Sequence, residues 1–277
     1  MRRAVGAPVR QDGRVHDRRA LVRRPGPRLA DGLLTHLDRV PVDLDLARQQ
    51  WEAYVDALRA EGWETVEVPP ADDCPDAVFV EDTVVMYGDL AVLAHPGAPE
   101  RRAEVDGTEQ ALGELGYVTA RIEGPGTLDG GDVLKHDGTV WVGLGGRTNE
   151  EGVAQLRSLL APRGAQVVGV PVSKVLHLKS AVTALPDGVV IGYPPLVDEV
   201  DRWPAFEPVP EEGGAHVVLL DDRTVLMAAS APRTRALLEA RGLRTVVVDI
   251  SEFEKLEGCV TCLSVRLRQA PGTSTSA

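Results

Sequence analysis

Cysteine is scarce in this chain, three residues in 277. An odd count leaves no closed disulfide framework, so a reducing cytoplasm is the expected setting. No run of about 18 apolar residues occurs, which excludes a transmembrane helix of the ordinary kind. Positive charge is outweighed, with Lys+Arg 30 against Asp+Glu 42 and a formal net charge of −12. That balance argues against nucleic acid or an anionic membrane as the main partner, and it sits well with a cationic small molecule. Residues 1–19 are basic but lack the apolar segment of a signal peptide. They and the polar tail 269–277 are expected to be disordered. No Pro/Gly/Ser linker splits the remainder, so residues 20–268 are expected to form a single domain.

What is present is a repeat. VLKHDGTVWVG alternates apolar and polar residues around Asp137-Gly138, a hairpin signal. A helical stretch follows, with Thr148 or Asn149 as N-cap and Val153, Leu156 and Leu160 on one face. AQVVGVPV then reads as a buried strand. The same order recurs in VVLLDDRTVLMAAS, PRTRALLEARG and LRTVVVDI, and again in TVVMYGDLAVLAHP, a helix near 101–115 and YVTARI. ALVRRP, LARQQWEAYVDALRAEG and WETVEVPP make a partial copy, and TALPDGVVIGYP adds a hairpin with little helix behind it. Turns at residues 88, 137 and 187 lie about fifty apart, a period expected of a radial or tandem repeat. About five such units close more naturally into a ring than into an open doubly wound sheet.

The reactive residues occupy equivalent places in that repeat. Asp76 follows ETVEVPP, Asp129 follows YVTARI, His177 follows AQVVGVPV, and Cys262 follows RTVVVDI. In a ring, equivalent places converge on the axis, so a carboxylate, an imidazole and a thiol are expected to share one pocket. Each also has a plainer reading. A lone histidine between leucines, as His177 is in VLHLKS, is more often a satisfied core residue than a catalyst. The glycines after Asp129 in GTLDGGDVL mark a tight turn or let the backbone approach a ligand. FVEDTVV is either a polar strand edge or a carboxylate cluster suited to a guanidinium.

EGCVTCLS places two of the three cysteines in a Cys-x-x-Cys spacing. A redox pair of this kind usually opens a helix, whereas VTCLSVRL reads as a β-type stretch. A structural zinc site needs four ligands, and no second Cys or His pair stands at finger spacing. Cys74 and Cys259 read as buried and inert.

Six ordered motifs, DAVFVEDTVV, HPGAPERR, GPGTLDGGDVL, GLGGRTN, HLKSAVT and CVTCLSV, resemble the dimethylarginine dimethylaminohydrolases, within the wider group of guanidine-modifying enzymes. The resemblance implies a fivefold pseudosymmetric α/β propeller of ββαβ units. It implies Cys262 as nucleophile, His177 as catalytic histidine and Asp129 as the carboxylate that orients it. Asp76, Glu81 and Asp82 match acids that bind the substrate's cationic groups. Arg101 and Arg147 match arginines for its α-carboxylate, and Leu256 a backbone carbonyl for its α-amine. Cys259 has no catalytic counterpart. The implied reaction is hydrolysis of Nω-methylated arginine to citrulline and an amine, with no metal or organic cofactor. A homodimer is compatible with these features, and nothing in the sequence selects it. The family's substrate-covering loop falls near residue 25, where VRRPGP departs from the animal members' leucine. Arginine deiminases carry Phe-x-Arg-Asp where this chain has Phe79-Val80-Glu81-Asp82. That difference favours the dimethylarginine hydrolase over the deiminase. An amidinotransferase would use the same thiol chemistry and is the alternative that product analysis with an added amine separates, while the retained Cys262, His177 and Asp129 argue against a silent binding protein for cationic amino acids.

Overall fold

The computed structural model describes residues 18–136 and 138–268. Asp137 of the third unit's turn and the segments 1–17 and 269–277 lie outside these residues. Five three-stranded sheets carry the fold. The second unit comprises β3 (Val84–Tyr87), β4 (Leu90–Leu93), α2 (Glu104–Glu114) and β5 (Val118–Arg121). The third comprises β6 (Val133–His136), β7 (Thr139–Leu144), α3 (Glu150–Leu160) and β8 (Gln166–Pro171). In the fourth, β9 (Val182–Ala184) and β10 (Val190–Gly192) lead through short 3-10 turns to β11 (Phe206–Pro208), and α4 (Leu178–Ala181) precedes them. The fifth runs β12 (Val218–Leu219), β13 (Thr224–Ala228), α5 (Pro232–Ala240) and β14 (Arg244–Val248), with α6 (Ser251–Glu254) behind it. In each of these the first two strands pair antiparallel and the second and third pair parallel.

The first unit is assembled from both ends of the described chain. β1 (Arg19–Val22), α1 (Leu44–Ala60) and β2 (Glu64–Glu67) supply two strands and the helix. The antiparallel partner of β1 is β15 (Val265–Leu267), in the register Arg19↔Leu267. That pairing closes the ring.

Local chemistry explains the elements. Gly88 and Gly188 take φ of 61° and 88° in the tight turns of the second and fourth hairpins, where a side chain would be strained. Asp43 caps α1 by accepting from the Asp45 and Leu46 amides, and Asn149 caps α3 through the Gly152 amide, each satisfying orphan N–H groups. Pro232 opens α5.

The core lies between units rather than inside them. Val84 and Met86 of β3 pack toward the first unit with Leu21, Val68 and Val265. Val85, on the opposite face, packs toward the third with Val133, Val140 and Leu156, as strand alternation requires. Five such apolar clusters join consecutive units, and the last joins the fifth unit back to α1 through Trp51, Tyr54, Val248 and Phe253. Burial of each aliphatic side chain contributes roughly 1.5–3 kcal/mol. An isolated unit would expose both of its apolar faces, so the ring is the form that buries them. Among the described residues no helix is long and apolar enough to cross a membrane.

One local expectation differs. Cys259–Leu263 is a turn, closed by the Cys262 amide on the Cys259 carbonyl at 3.1 Å, and strand begins only at Val265. Glu257, with φ of 59°, turns the chain just before it.

Candidate active site

Segments following β2, β5, β8 and β14 meet at the axis. Asp76, Asp82, Arg101, Arg147, His177, Leu256 and Cys262 line one narrow cavity of about 10 Å³, enough for about a single water. Leu33 and Glu257 also line it. The Leu33 amide donates to both oxygens of Asp76, at 3.2 and 3.1 Å. Glu257 Oε1 accepts from the amides of Thr35 and Leu37, each at 2.9 Å, and from that of His36. The segment covering the cavity is therefore Leu33–Leu37, further along the chain than Pro25.

His177 stands between two carboxylates. Its Nε2 lies 3.0 Å from Asp129 Oδ2, and its Nδ1 lies 3.6 Å from Asp82 Oδ1. Burial opposes a charge on the ring, but Asp82 and the Asp129 hydrogen bond push His177 up to about 9. Burial likewise works to raise Asp82, yet His177 and Arg101 hold it down at about 2. The glycines after Asp129 make this approach possible. A Cβ on Gly131 would stand 2.5 Å from Asp82 Oδ1 and 2.7 Å from His177 Nδ1, while the Gly131 amide donates to Asp82 Oδ1 at 2.9 Å.

Asp129 is fully buried and accepts the Gly97 amide at 3.0 Å on its other oxygen. Behind it sits Asp132, to which sequence reasoning gave no role. Its carboxylate accepts Thr148 Oγ1 at 2.7 Å and the Leu178 amide at 3.0 Å. Thr148 Oγ1 in turn accepts the Asp129 amide at 3.1 Å. Burial raises Asp132 to about 6 against the pull of His177. The available signal was the second acid of LDGGD, next to the glycines already singled out.

The two arginines have different surroundings. Arg101 donates to Glu104 at 3.0 and 2.8 Å, to Asp82 at 2.6 Å, and to the Asp76 and Phe79 carbonyls. Arg147 Nη1 lies 3.5 Å from Asp129 Oδ2 and is buried without a hydrogen-bond partner among the described residues. Asp76 is raised by burial, against Arg101.

Glu81 is set apart from the other acids. Its side chain faces a second, larger cavity of about 1080 Å³, where it pairs with Lys179 at 2.7 Å and Arg266 at 3.1 Å. Its amide donates to the Cys262 carbonyl at 3.2 Å. The Cys259–Leu263 turn and Glu81 thus form a wall between the two cavities.

Cys262 is buried, with its Sγ 3.1 Å from that of Cys259. Two thiols in contact share a proton. The hydrogen bond from Cys262 holds Cys259 down at about 6. The same bond pushes Cys262 well up, helped by burial and by the Asp82 and Glu81 carboxylates. Asp82, Asp129 and His177 offer ligand atoms within 4.8 Å of one another, a spacing a divalent ion accepts. Each is already committed, Asp82 to Arg101 and Gly131, and His177 to Asp129, so the set is arranged to hold a proton.

No protein-family model matches the chain. A dimethylarginine dimethylaminohydrolase of Streptomyces coelicolor is 64% identical over 252 residues, 91% of this chain and 98% of that protein. The fold also matches the Pseudomonas aeruginosa enzyme, solved as a cysteine-to-serine mutant complexed with citrulline. The TM-score is 0.84 at 31% identity, covering 91% of this chain and 100% of that one. A histidine-to-glycine variant of a dimethylarginine dimethylaminohydrolase, solved as an adduct with S-methyl-L-thiocitrulline, matches with a TM-score of 0.83 at 31% identity, over 90% of this chain and 99% of that one. Identity of 64% over 91% of the sequence leaves one conclusion, that this chain belongs to the dimethylarginine dimethylaminohydrolase family.

Proposed function

We propose that residues 20–268 act as one catalytic unit, a cysteine-dependent hydrolase that converts Nω-methylated arginine to citrulline and methylamine or dimethylamine. The observation that carries this reading is a buried thiol and a doubly carboxylate-held imidazole lining one narrow cavity. The relatives named for dimethylarginine, and the one complexed with citrulline, support the substrate class.

A guanidinium carbon is a poor electrophile, because resonance spreads its positive charge, so the sulfur must be a thiolate. In the free site the hydrogen bond with Cys259 and burial, helped by the Asp82 and Glu81 carboxylates, keep the Cys262 thiol protonated. A cation seated against Asp82 offsets those carboxylates and favours loss of the thiol proton. Cys262 Sγ then attacks the guanidinium carbon. The protonated His177 gives its proton to the departing amine, and the C–N bond breaks to leave a thiouronium on sulfur. His177, now neutral, takes a proton from water, whose oxygen adds to the same carbon. Collapse of that adduct breaks the C–S bond and yields citrulline.

The other roles follow from the surroundings. Asp129 orients His177 and stabilises its charge. Arg147, with an uncommitted N–H, anchors the substrate carboxylate. Arg101, whose donors are engaged, acts by holding Asp82 in place. Asp76 and the Leu256 carbonyl serve the α-amine. Glu81 supports the nucleophile turn from the far side. Substrate entry requires Leu33–Leu37 to move aside. The three cysteines are free thiols, in keeping with a cytoplasmic setting.

The test is one incubation with asymmetric dimethylarginine and one with arginine, measuring citrulline and released amine, with and without an added acceptor amine. Equimolar citrulline and dimethylamine are expected, unaffected by the acceptor. Ammonia and citrulline from arginine alone would identify a deiminase, and transfer to the acceptor an amidinotransferase.

A further inference from the structure

The hydrolytic reading uses Cys262 and leaves Cys259 without a task, yet the two sulfurs are in contact. We propose that Cys259 and Cys262 form a modification site, in which hydroperoxides convert the pair to a reversible intramolecular disulfide that withdraws the nucleophile and spares it from irreversible oxidation.

Geometry favours the bond. The Cys262 amide donates to the Cys259 carbonyl at 3.1 Å, closing a β-turn on the pair. A turn of this kind holds its end Cα atoms within about 7 Å, close to the roughly 4.4–6.8 Å that a disulfide spans. The sulfurs already lie 3.1 Å apart, so bridging needs only a small rotation of side chains. Access follows the substrate's route. Cys262 lines the substrate cavity, so the movement of Leu33–Leu37 that admits substrate also admits a small polar reagent. The shared proton, with Cys259 held at about 6, supplies a thiolate at neutral pH, the form that reacts with peroxide.

The steps balance. The thiolate of one cysteine attacks hydrogen peroxide and the O–O bond breaks. One oxygen remains on sulfur as a sulfenic acid and the other leaves as water. The second thiol attacks that sulfur, the S–O bond breaks, a second water leaves and the S–S bond forms. Two electrons have passed from the pair to the peroxide, and a dithiol returns them. Whichever sulfur reacts first, the product is the same. Formation of the bond is independent of the proposed reaction, whereas the accompanying loss of turnover rests on Cys262 being its nucleophile.

The experiment exposes the full chain to excess hydrogen peroxide, alkylates the remaining thiols and maps them by mass. In the wild type, Cys259 and Cys262 should escape alkylation with a joint loss of two hydrogens, while Cys74 remains alkylatable. Turnover of dimethylarginine should fall and return with dithiothreitol. In Cys259→Ser, the same treatment should add two or three oxygens to Cys262, and dithiothreitol should recover little activity. Sulfinic Cys262 beside an alkylatable Cys259 in the wild type would overturn the proposal. So would a bond to Cys74, or recovery of Cys259→Ser equal to that of the wild type. A Cys259–Cys262 bond with turnover unchanged would keep the disulfide and overturn its effect on activity. If Cys259→Ser folds poorly, the wild-type thiol map still decides the first part.

Discussion

Arg147→Ala should lower kcat/KM for asymmetric dimethylarginine while leaving the melting temperature nearly unchanged, and Arg101→Ala should do the reverse in emphasis. The difference is worked from what each side chain touches. Arg147 Nη1 makes no hydrogen bond among the described residues and only a long ion pair of 3.5 Å to Asp129, so its removal costs the folded protein less than that of Arg101. A charged hydrogen bond to a substrate carboxylate is worth about 1.5–3 kcal/mol, or roughly ten- to a hundredfold in kcat/KM. Arg101 is the cation between buried Asp82 and Glu104. Its loss strands two carboxylates, at a cost of about 3–5 kcal/mol for a broken buried pair. For a protein of this size that corresponds to a fall of about 6–20 °C in Tm. The assay is citrulline release from dimethylarginine and from a methylated alkylguanidine without a carboxylate, alongside thermal melts. Only the first substrate should suffer in Arg147→Ala. Equal losses on both substrates, no loss on either, or a melt as low as that of Arg101→Ala would refute the anchoring argument.

Cys262→Ser should abolish nearly all citrulline release, because a serine hydroxyl stays protonated, whereas Cys259→Ser should keep most of it under reducing conditions. Equal losses would remove the distinction between the sulfurs. His177→Ala should reduce kcat by about 10²–10⁴-fold, the usual cost of a lost general acid–base; a rate near wild type would make His177 a core histidine. The kcat/KM profile should fall on its alkaline side as His177, raised to about 9, loses its proton. Stability should follow the same groups. The His177 contribution is complete below its ordinary pKa of about 6.5 and is lost as pH rises through about 9. The Asp82 contribution is complete above about 3.8 and is lost as pH falls through about 2. Urea midpoints measured against pH should show an alkaline decline that is absent in His177→Ala; an unchanged decline would place its cause elsewhere.

Much of the ring was legible because its turns are local. Gly88-Asp89 and Asp221-Asp222 announced hairpins that pair β3 with β4 and β12 with β13, and helical periodicity located α3 and α5. The β1–β15 pairing was not legible, since no local pattern ties Arg19 to Leu267. The meeting of Asp76, Asp129, His177 and Cys262 followed from equivalent positions in the repeat. The side each acid faces did not. Glu81 and Asp82 are neighbours in sequence, yet the 3-10 turn at Val80–Thr83 sends one toward Lys179 and the other toward His177. Three-dimensional packing also decided which acids stand behind the others. Asp132 supports Thr148, whose hydroxyl accepts the Asp129 amide, a relation that crosses two segments and leaves no mark in either alone.

The pairing of β1 with β15 also bears on how the protein comes to be active. Cys262 lies just ahead of β15, so docking of the last strand on the first completes the fixing of its turn, which the Glu81 amide and the Tyr54 hydroxyl also hold through the Cys262 and Val260 carbonyls. Loop closure over almost the whole described chain is among the slowest contacts to form. In a polypeptide emerging from the ribosome, the β1–β15 pairing that holds the Cys262 turn against the first strand cannot form until residues beyond Leu267 have cleared the exit tunnel. The setting of Cys262 is thereby tied to completion of the circle.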